Sequence, residues 1–149
     1  MEYQKSAGAV VYYWNEKPYF LLLRNTLKTT YWEFTKGIIE KDEEIEGTVK
    51  REIEEETDLK NVEIISGFKH KLEWFFKFKG RLIKKEAVYL LVKIPEEDKD
   101  KVRINYEHEF FSWWDFEKAL ENLKGKNNKE MLTRAEKFIK EYEKQKKLS

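Results

Sequence analysis

Residues 37–59 read GIIEKDEEIEGTVKREIEEETDL, and the rest of the chain is best read outward from this stretch. Ile45, Val49 and Ile53 recur at every fourth position, the spacing of one helical face, so a helix is expected over Glu43 to Thr57. A helix turns about 100° per residue; with Ile45 at zero, Val49 falls at about 40° and Ile53 at about 80°, which marks the buried stripe. Glu56 falls at about 20°, Glu52 at about 340° and Glu55 at about 280°, whereas Glu54 falls at about 180° and faces water. Two carboxylates therefore share the inward stripe and a third borders it.

Burying an uncompensated carboxylate is costly, and clustered carboxylates repel one another unless a cation sits among them. Oxygen-rich clusters suit Mg²⁺ or Mn²⁺, hard ions that also bridge phosphates. Arg51 stands four residues before Glu55 and can hold it as an i,i+4 partner. In a chain with 30 Lys and Arg and 29 Asp and Glu, however, a glutamate-dense helix is also what a solvated face looks like. Periodicity alone leaves both readings open.

On the N-terminal side, Lys5 to Trp14 reads as a buried strand, Asn15-Glu16-Lys17-Pro18 as a turn and Tyr19 to Arg24 as a second strand of the same hairpin. Asn25 to Tyr31 reads as a loop, and Trp32 to Lys36 as a short extended piece ending at Gly37. On the C-terminal side, Val62 to Phe78 and Arg81 to Ile94 read as long paired strands joined at Lys79-Gly80. Pro95 to Arg103 is expected to be a charged connection without core residues. Glu109 to Trp114 is expected as a last strand, then a helix through Phe116, Ala119, Leu120 and Leu123. A final amphipathic helix carries Leu132, Ala135, Phe138, Ile139 and Tyr142, with the closing KQKKLS frayed. Trp74, Phe75, Phe76 and Phe78 are core by default, although one alternate face offers a stacking surface. Strands interleaved with a few helices predict a mixed sheet covered by helices on both faces.

The 149 residues fit one domain spanning the whole chain. A net charge of +1 gives no global field for membrane or long nucleic acid, and no apolar run approaches the roughly 20 residues a bilayer demands. Cysteine is absent, which excludes disulfides and thiolate metal sites. A cytoplasmic location is expected. The surplus of Lys and Glu also resembles the composition of proteins from hot environments.

The opening stretch resembles the Nudix box, G-x5-E-x7-R-E-U-x-E-E-x-G-U, where U is a bulky aliphatic residue. Gly37, Glu43, Arg51, Glu52, Ile53, Glu55, Glu56 and Leu59 stand in their places, and only Asp58 departs, where the pattern has its second glycine. That position closes the helix in a left-handed conformation, which Asp tolerates better than most residues. The resemblance implies an α/β/α sandwich with a mixed sheet, and a hydrolase of nucleoside polyphosphates. It further implies that Glu52, Glu55, Glu56 and the Gly37 carbonyl ligate Mg²⁺ or Mn²⁺, while Arg51 and Glu43 hold loop and helix together. The general base is then either Glu52 or a residue outside the box.

Beyond the box, the chain is most similar to the asymmetrical diadenosine tetraphosphate hydrolases. Trp32-Glu33-Phe34-Thr35-Lys36-Gly37 parallels their W-x-x-P-K-G, with Thr35 for proline, and Lys36 takes the place of a phosphate-facing lysine. Lys85-Glu86-Ala87-Val88-Tyr89 parallels a K-x-V-x-Y strand that supplies a lysine and a base-stacking tyrosine. Glu107-His108 parallels an E-H pair, with Glu107 as extra ligand or base. Ile38 stands where many of these enzymes have histidine. Trp32, Lys36, Lys85, Tyr89 and His108 are thus the implied substrate contacts, and Arg51, Glu52, Glu55 and Glu107 the implied catalytic set. The same W-x-F-x-K-G form occurs in Nudix enzymes acting on RNA 5′ ends or nucleoside triphosphates, so those substrates stay open. A nucleotide-binding module without catalysis is the other alternative; such modules lose box glutamates, and here all are kept.

Overall fold

The computed structural model describes residues 1–24, 31–105 and 108–149. Its centre is a mixed sheet of β1 (Glu2–Trp14), β2 (Pro18–Arg24), β3 (Trp32–Glu33), β4 (Thr35–Ile38), β5 (Glu63–Phe78), β6 (Arg81–Lys93) and β7 (Phe110–Trp114). The path runs β3-β2-β1-β6-β5, with β4 added to β1 and β7 to β2. Among the described strands β1 and β6 pair in parallel, and the other strand pairs are antiparallel.

Strand alternation divides the core in two. On one face Val10, Tyr12, Phe20, Leu22, Tyr89 and Leu91 pack with Ala119 and Leu123 of α2 (Phe116–Asn122) and Met131, Leu132, Ala135 and Ile139 of α3 (Lys126–Leu148). On the other, Ala9, Val11, Leu21, Leu23, Leu90 and Val92 pack with Val49 and Ile53 of α1 (Ile45–Thr57). Helices thus cover both faces, as the α/β/α reading expected.

The expected hairpins are present, with Tyr12 opposite Phe20 and Trp74 opposite Lys85. Several boundaries differ. β1 starts at Glu2 instead of Lys5, because Glu2 to Gln4 pair with Ile83 to Lys85. α1 starts at Ile45 instead of Glu43, because Glu44 is extended, with φ −88° and ψ 161°, and stands as the N-cap. Pro95 to Arg103 is not devoid of core residues: it holds a 3₁₀ turn, Glu96–Lys101, and Val102 is buried against the α1 side of the sheet. Trp113 Nε1 donates to the Lys99 carbonyl at 2.9 Å, tying that turn down. α3 continues to Leu148, so KQKKLS is helical and not frayed. Trp74, Phe75 and Phe78 are exposed instead of core. Residues 25–30 of the expected loop, and Glu107, lie outside the described residues. Among the described residues no helix is long and apolar enough to cross a membrane.

Candidate active site

β4 pairs with the first half of β1, Gly37 opposite Ala7 and Lys36 opposite Gly8. Alternation then turns Gly37 toward α1 and the Lys36 side chain to the opposite face. α1 presents its residues as the helical wheel predicts: Val49 and Ile53 are fully buried, Glu56 is 4% exposed, and Glu54 faces solvent. Asp58 closes the helix with φ 62° and ψ 13°, its N–H bonded to the Glu54 carbonyl at 2.9 Å. The departure from glycine therefore leaves the left-handed cap intact.

The Glu52 carboxylate lies directly against Gly37. A Cβ built there would fall 1.9 Å from Glu52 Cδ and Oε1, so only glycine leaves room for the carboxylate where it stands. Glu56 Oε1 accepts the Lys36 amide at 3.1 Å. Its other oxygen, Oε2, stands 3.5 Å from Nδ1 of buried His108, whose Nε2 contacts Glu33 Oε1 at 2.9 Å. That contact is not a hydrogen bond, so among the described residues the buried Nδ1 beside Glu56 has no hydrogen-bond partner.

Arg51 gathers the remaining acids. Its Nε and Nη2 bind Glu43 at 2.6 and 3.0 Å, Nη1 binds Glu52 at 2.9 Å and Glu55 at 3.2 Å, and Nη2 reaches the Ile38 carbonyl at 3.0 Å. One guanidinium thus pins the β4 end, the pre-helix loop and two of the clustered carboxylates. Glu43 also accepts from Thr48 Oγ1 at 2.7 Å and from the Glu40 amide at 3.0 Å. The Arg51 hydrogen bond first, then those from Thr48 and Glu40, hold its carboxyl at about 2. The folded pKa is depressed, so this stabilisation is complete above the usual carboxylate value and is lost as pH falls through about 2. Glu43→Gln should lower the melting temperature at neutral pH and narrow the gap to wild type between pH 4.5 and 2; thermal melts across that range check it. A constant gap would remove Glu43 ionisation from the account.

A hard divalent cation fits this donor set: carboxylates of Glu52, Glu55 and Glu56 on one end of α1, next to a glycine with no room for a side chain. Among the described residues no three acidic or imidazole side chains already surround one point. Glu52 and Glu55 lean to Arg51, while Glu56 leans to the Lys36 amide and His108.

On the opposite side of β4, Lys36 opens into a cavity of about 410 Å³ lined by Glu33, Phe34, Leu72, Trp74, Tyr89 and the first turn of α3. Burial away from water lowers the Lys36 pKa below the ordinary lysine value; Glu33 opposes the shift, Lys85 adds to it and Glu56 opposes it. Its Nζ stands 5.4 Å from the Trp74 ring centroid. Of the other implied substrate contacts, Lys85 lies 5.2 Å from the Phe76 ring. Tyr89 forms the cavity floor, only 6% exposed, with its ring edge-on to Phe34 and over Gly8. Trp32 is turned to Trp114, 4.6 Å between ring centroids, and does not line the cavity. His108 faces the carboxylates Glu33 and Glu56. Sequence reading missed Glu33 and the α3 N-terminus; contacts across 75 positions leave no local signal.

Known proteins share this fold. The NUDIX domain family model matches residues 2–135. A binary complex of the C. elegans Ap4A hydrolase superposes with a TM-score of 0.79 at 26% identity, over 91% of this chain and 97% of that one. The E. coli dihydroneopterin triphosphate pyrophosphohydrolase superposes with a TM-score of 0.72 at 17% identity, over 91% and 98%. The NUDIX domain of Shewanella oneidensis NrtR, complexed with ADP ribose, gives 0.62 at 17%, over 90% and 88%. These last two share the fold.

Proposed function

The chain belongs to the NUDIX domain family, and on that premise we propose that it hydrolyses dinucleoside polyphosphates, cutting diadenosine tetraphosphate asymmetrically into ATP and AMP. The observation that carries this reading is the link across β4 between the cavity and the glutamate helix: one residue, Lys36, sends its side chain into the cavity while its amide holds Glu56. The similarity to the C. elegans Ap4A hydrolase supports the same substrate class.

Glu52, Glu55, Glu56 and the Gly37 carbonyl would hold Mg²⁺ or Mn²⁺. Such ions, when bound, neutralise phosphate charge and acidify the attacking water. Arg51 keeps Glu52 and Glu55 side by side and offsets their repulsion. Lys36 and Lys85 offer cations for the phosphate chain. Trp74, at the cavity wall, offers a ring for an adenine, with Tyr89 packed beneath. Glu52 is one candidate base, and Glu107 is the other.

A stacked adenine at fixed distance from the glutamates selects one phosphorus for attack. Diadenosine tetraphosphate incubated with Mg²⁺ in oxygen-18 water should give ATP and AMP in equal amounts, with the label in AMP, read by chromatography and mass spectrometry. Two molecules of ADP would overturn the asymmetrical reading.

A further inference from the structure

We propose that the outer edge of β5 joins two copies of this chain: residues 72–78 pair antiparallel with the same residues of a second copy, about a two-fold axis at Phe75. The sheet then runs on from one protomer into the other, and the cavity wall at Trp74 gains rings from the partner.

β5 is the last strand on its side of the sheet, and among the described residues it pairs with β6 alone. A strand at an edge presents a row of unpaired N–H and C=O groups, ready for another strand. α3 closes the start of this edge: the Lys69 carbonyl accepts from Arg134 Nη1 at 3.4 Å, and Phe138 stands edge-on to Phe68. Farther out, from Leu72 to Phe78, the strand reaches past that cover, and Trp74, Phe75 and Phe78 are exposed, the last two at 57%. Register sets Leu72, Trp74, Phe76 and Phe78 on the cavity face and Glu73, Phe75 and Lys77 on the α1 face. Bare rings thus stand on both faces of one strand. A partner laid on either face would cover only half of them, whereas a second strand at the edge meets both.

Charge decides the register. Strands joined edge to edge by a two-fold axis keep their faces, so opposed residue numbers differ by an even count and the axis passes through a residue. With the axis at Phe75, Phe75 meets its own copy. Trp74 lies opposite the partner's Phe76, Glu73 opposite the partner's Lys77, and Leu72 opposite the partner's Phe78. Every opposed pair is then apolar or of opposite charge, the combinations that stabilise an antiparallel ladder. Moving the axis to Trp74 sets Lys71 against Lys77, and moving it to Glu73 sets that carboxylate against itself. Moving it to Phe76 shortens the ladder to residues 74–78 and leaves no ion pair within it. Glu73 already gathers cations, with Lys71 at 2.9 Å and Lys84 at 3.4 Å, and the partner's Lys77 joins them.

The pairing also bears on the site. Leu72 and Trp74 line the cavity at Lys36. Directly opposed side chains stand about 4.5–5.5 Å apart at Cβ, so the partner's Phe78 and Phe76 continue the wall that ends at Trp74 in one protomer. A ladder of this length makes a small interface, and the dimer is a reversible one.

Sedimentation velocity of the full chain over a dilution series, without nucleotide, should show monomer and dimer exchanging with concentration. Lys77→Glu sets acid against acid at both ends of the ladder and should weaken association roughly tenfold. Adding Glu73→Lys to the same chain restores opposite charges with their signs exchanged and should recover most of that loss. Phe75→Glu, which meets its own copy on the axis, should abolish the dimer. Lys137→Glu, on the exposed side of α3, changes the net charge as Lys77→Glu does and should have no effect. Circular dichroism checks that each variant is folded. A wild-type chain that stays monomeric at every concentration would overturn the proposal. So would a dimer indifferent to Lys77→Glu and to Phe75→Glu, or one that the folded double variant fails to recover. None of these outcomes depends on what the cavity binds.

Discussion

Glu56→Gln should reduce turnover by roughly two to four orders of magnitude while leaving the chain folded. The size follows from what a divalent ion contributes: several kcal/mol of charge stabilisation, at about 1.4 kcal/mol per tenfold in rate. Glu56 is the most enclosed of the three box carboxylates, 4% exposed, and its oxygens face the Lys36 amide and His108. Glutamine keeps one accepting oxygen for the amide, so the tie between helix and β4 survives. It loses the charge and turns an NH₂ group toward the second position, where a cation would be repelled. Glu54→Gln is the control: Glu54 lies on the solvated side of α1, and its substitution should be almost silent. Steady-state rates across a Mg²⁺ titration, with melting temperatures alongside, make the comparison. Full turnover by Glu56→Gln at saturating Mg²⁺ would take Glu56 out of the site.

The parts of the molecule that could be read in advance are those whose physics is local. α1 was legible because its apolar spacing, its inward glutamates and its left-handed end all belong to one short segment, and Asp58 takes the conformation its position requires. The β1–β2 and β5–β6 hairpins were legible for the same reason, since each turn lies next to the strands it joins. What escaped depends on contacts between distant segments. Val102 looks like a stray apolar residue in a charged stretch until it packs beneath the sheet beside Ile94. Trp74 and Phe78 look like core until α3 proves to cover only part of the hairpin. The His108 contacts with Glu33 and Glu56 join three segments that no spacing rule connects. The box glutamates could therefore be named from sequence, whereas their arrangement around Arg51 and His108 had to be seen.

Gly37→Ala should separate activity from stability more sharply than any carboxylate substitution. Gly37 is not among the glycines with positive φ, so alanine meets no backbone strain there. What it meets is the Glu52 carboxylate, with Cδ and Oε1 at 1.9 Å from the added Cβ. The atoms in the way form the end of one flexible side chain, which can swing aside without moving the helix. The fold is therefore kept and the carboxylate displaced, in a site where a shift of about 1 Å costs on the order of a hundredfold in rate. A drop of that size in kcat, with the melting temperature close to wild type, is the expected result. Gly47→Ala supplies the opposite pattern. It lies inside α1 with its nearest contact at 3.7 Å, so the added methyl should raise stability by about 0.5–1 kcal/mol and leave the rate alone. If Gly37→Ala retained full activity, Glu52 would be free to work from another position, and its contact with Gly37 would be packing alone.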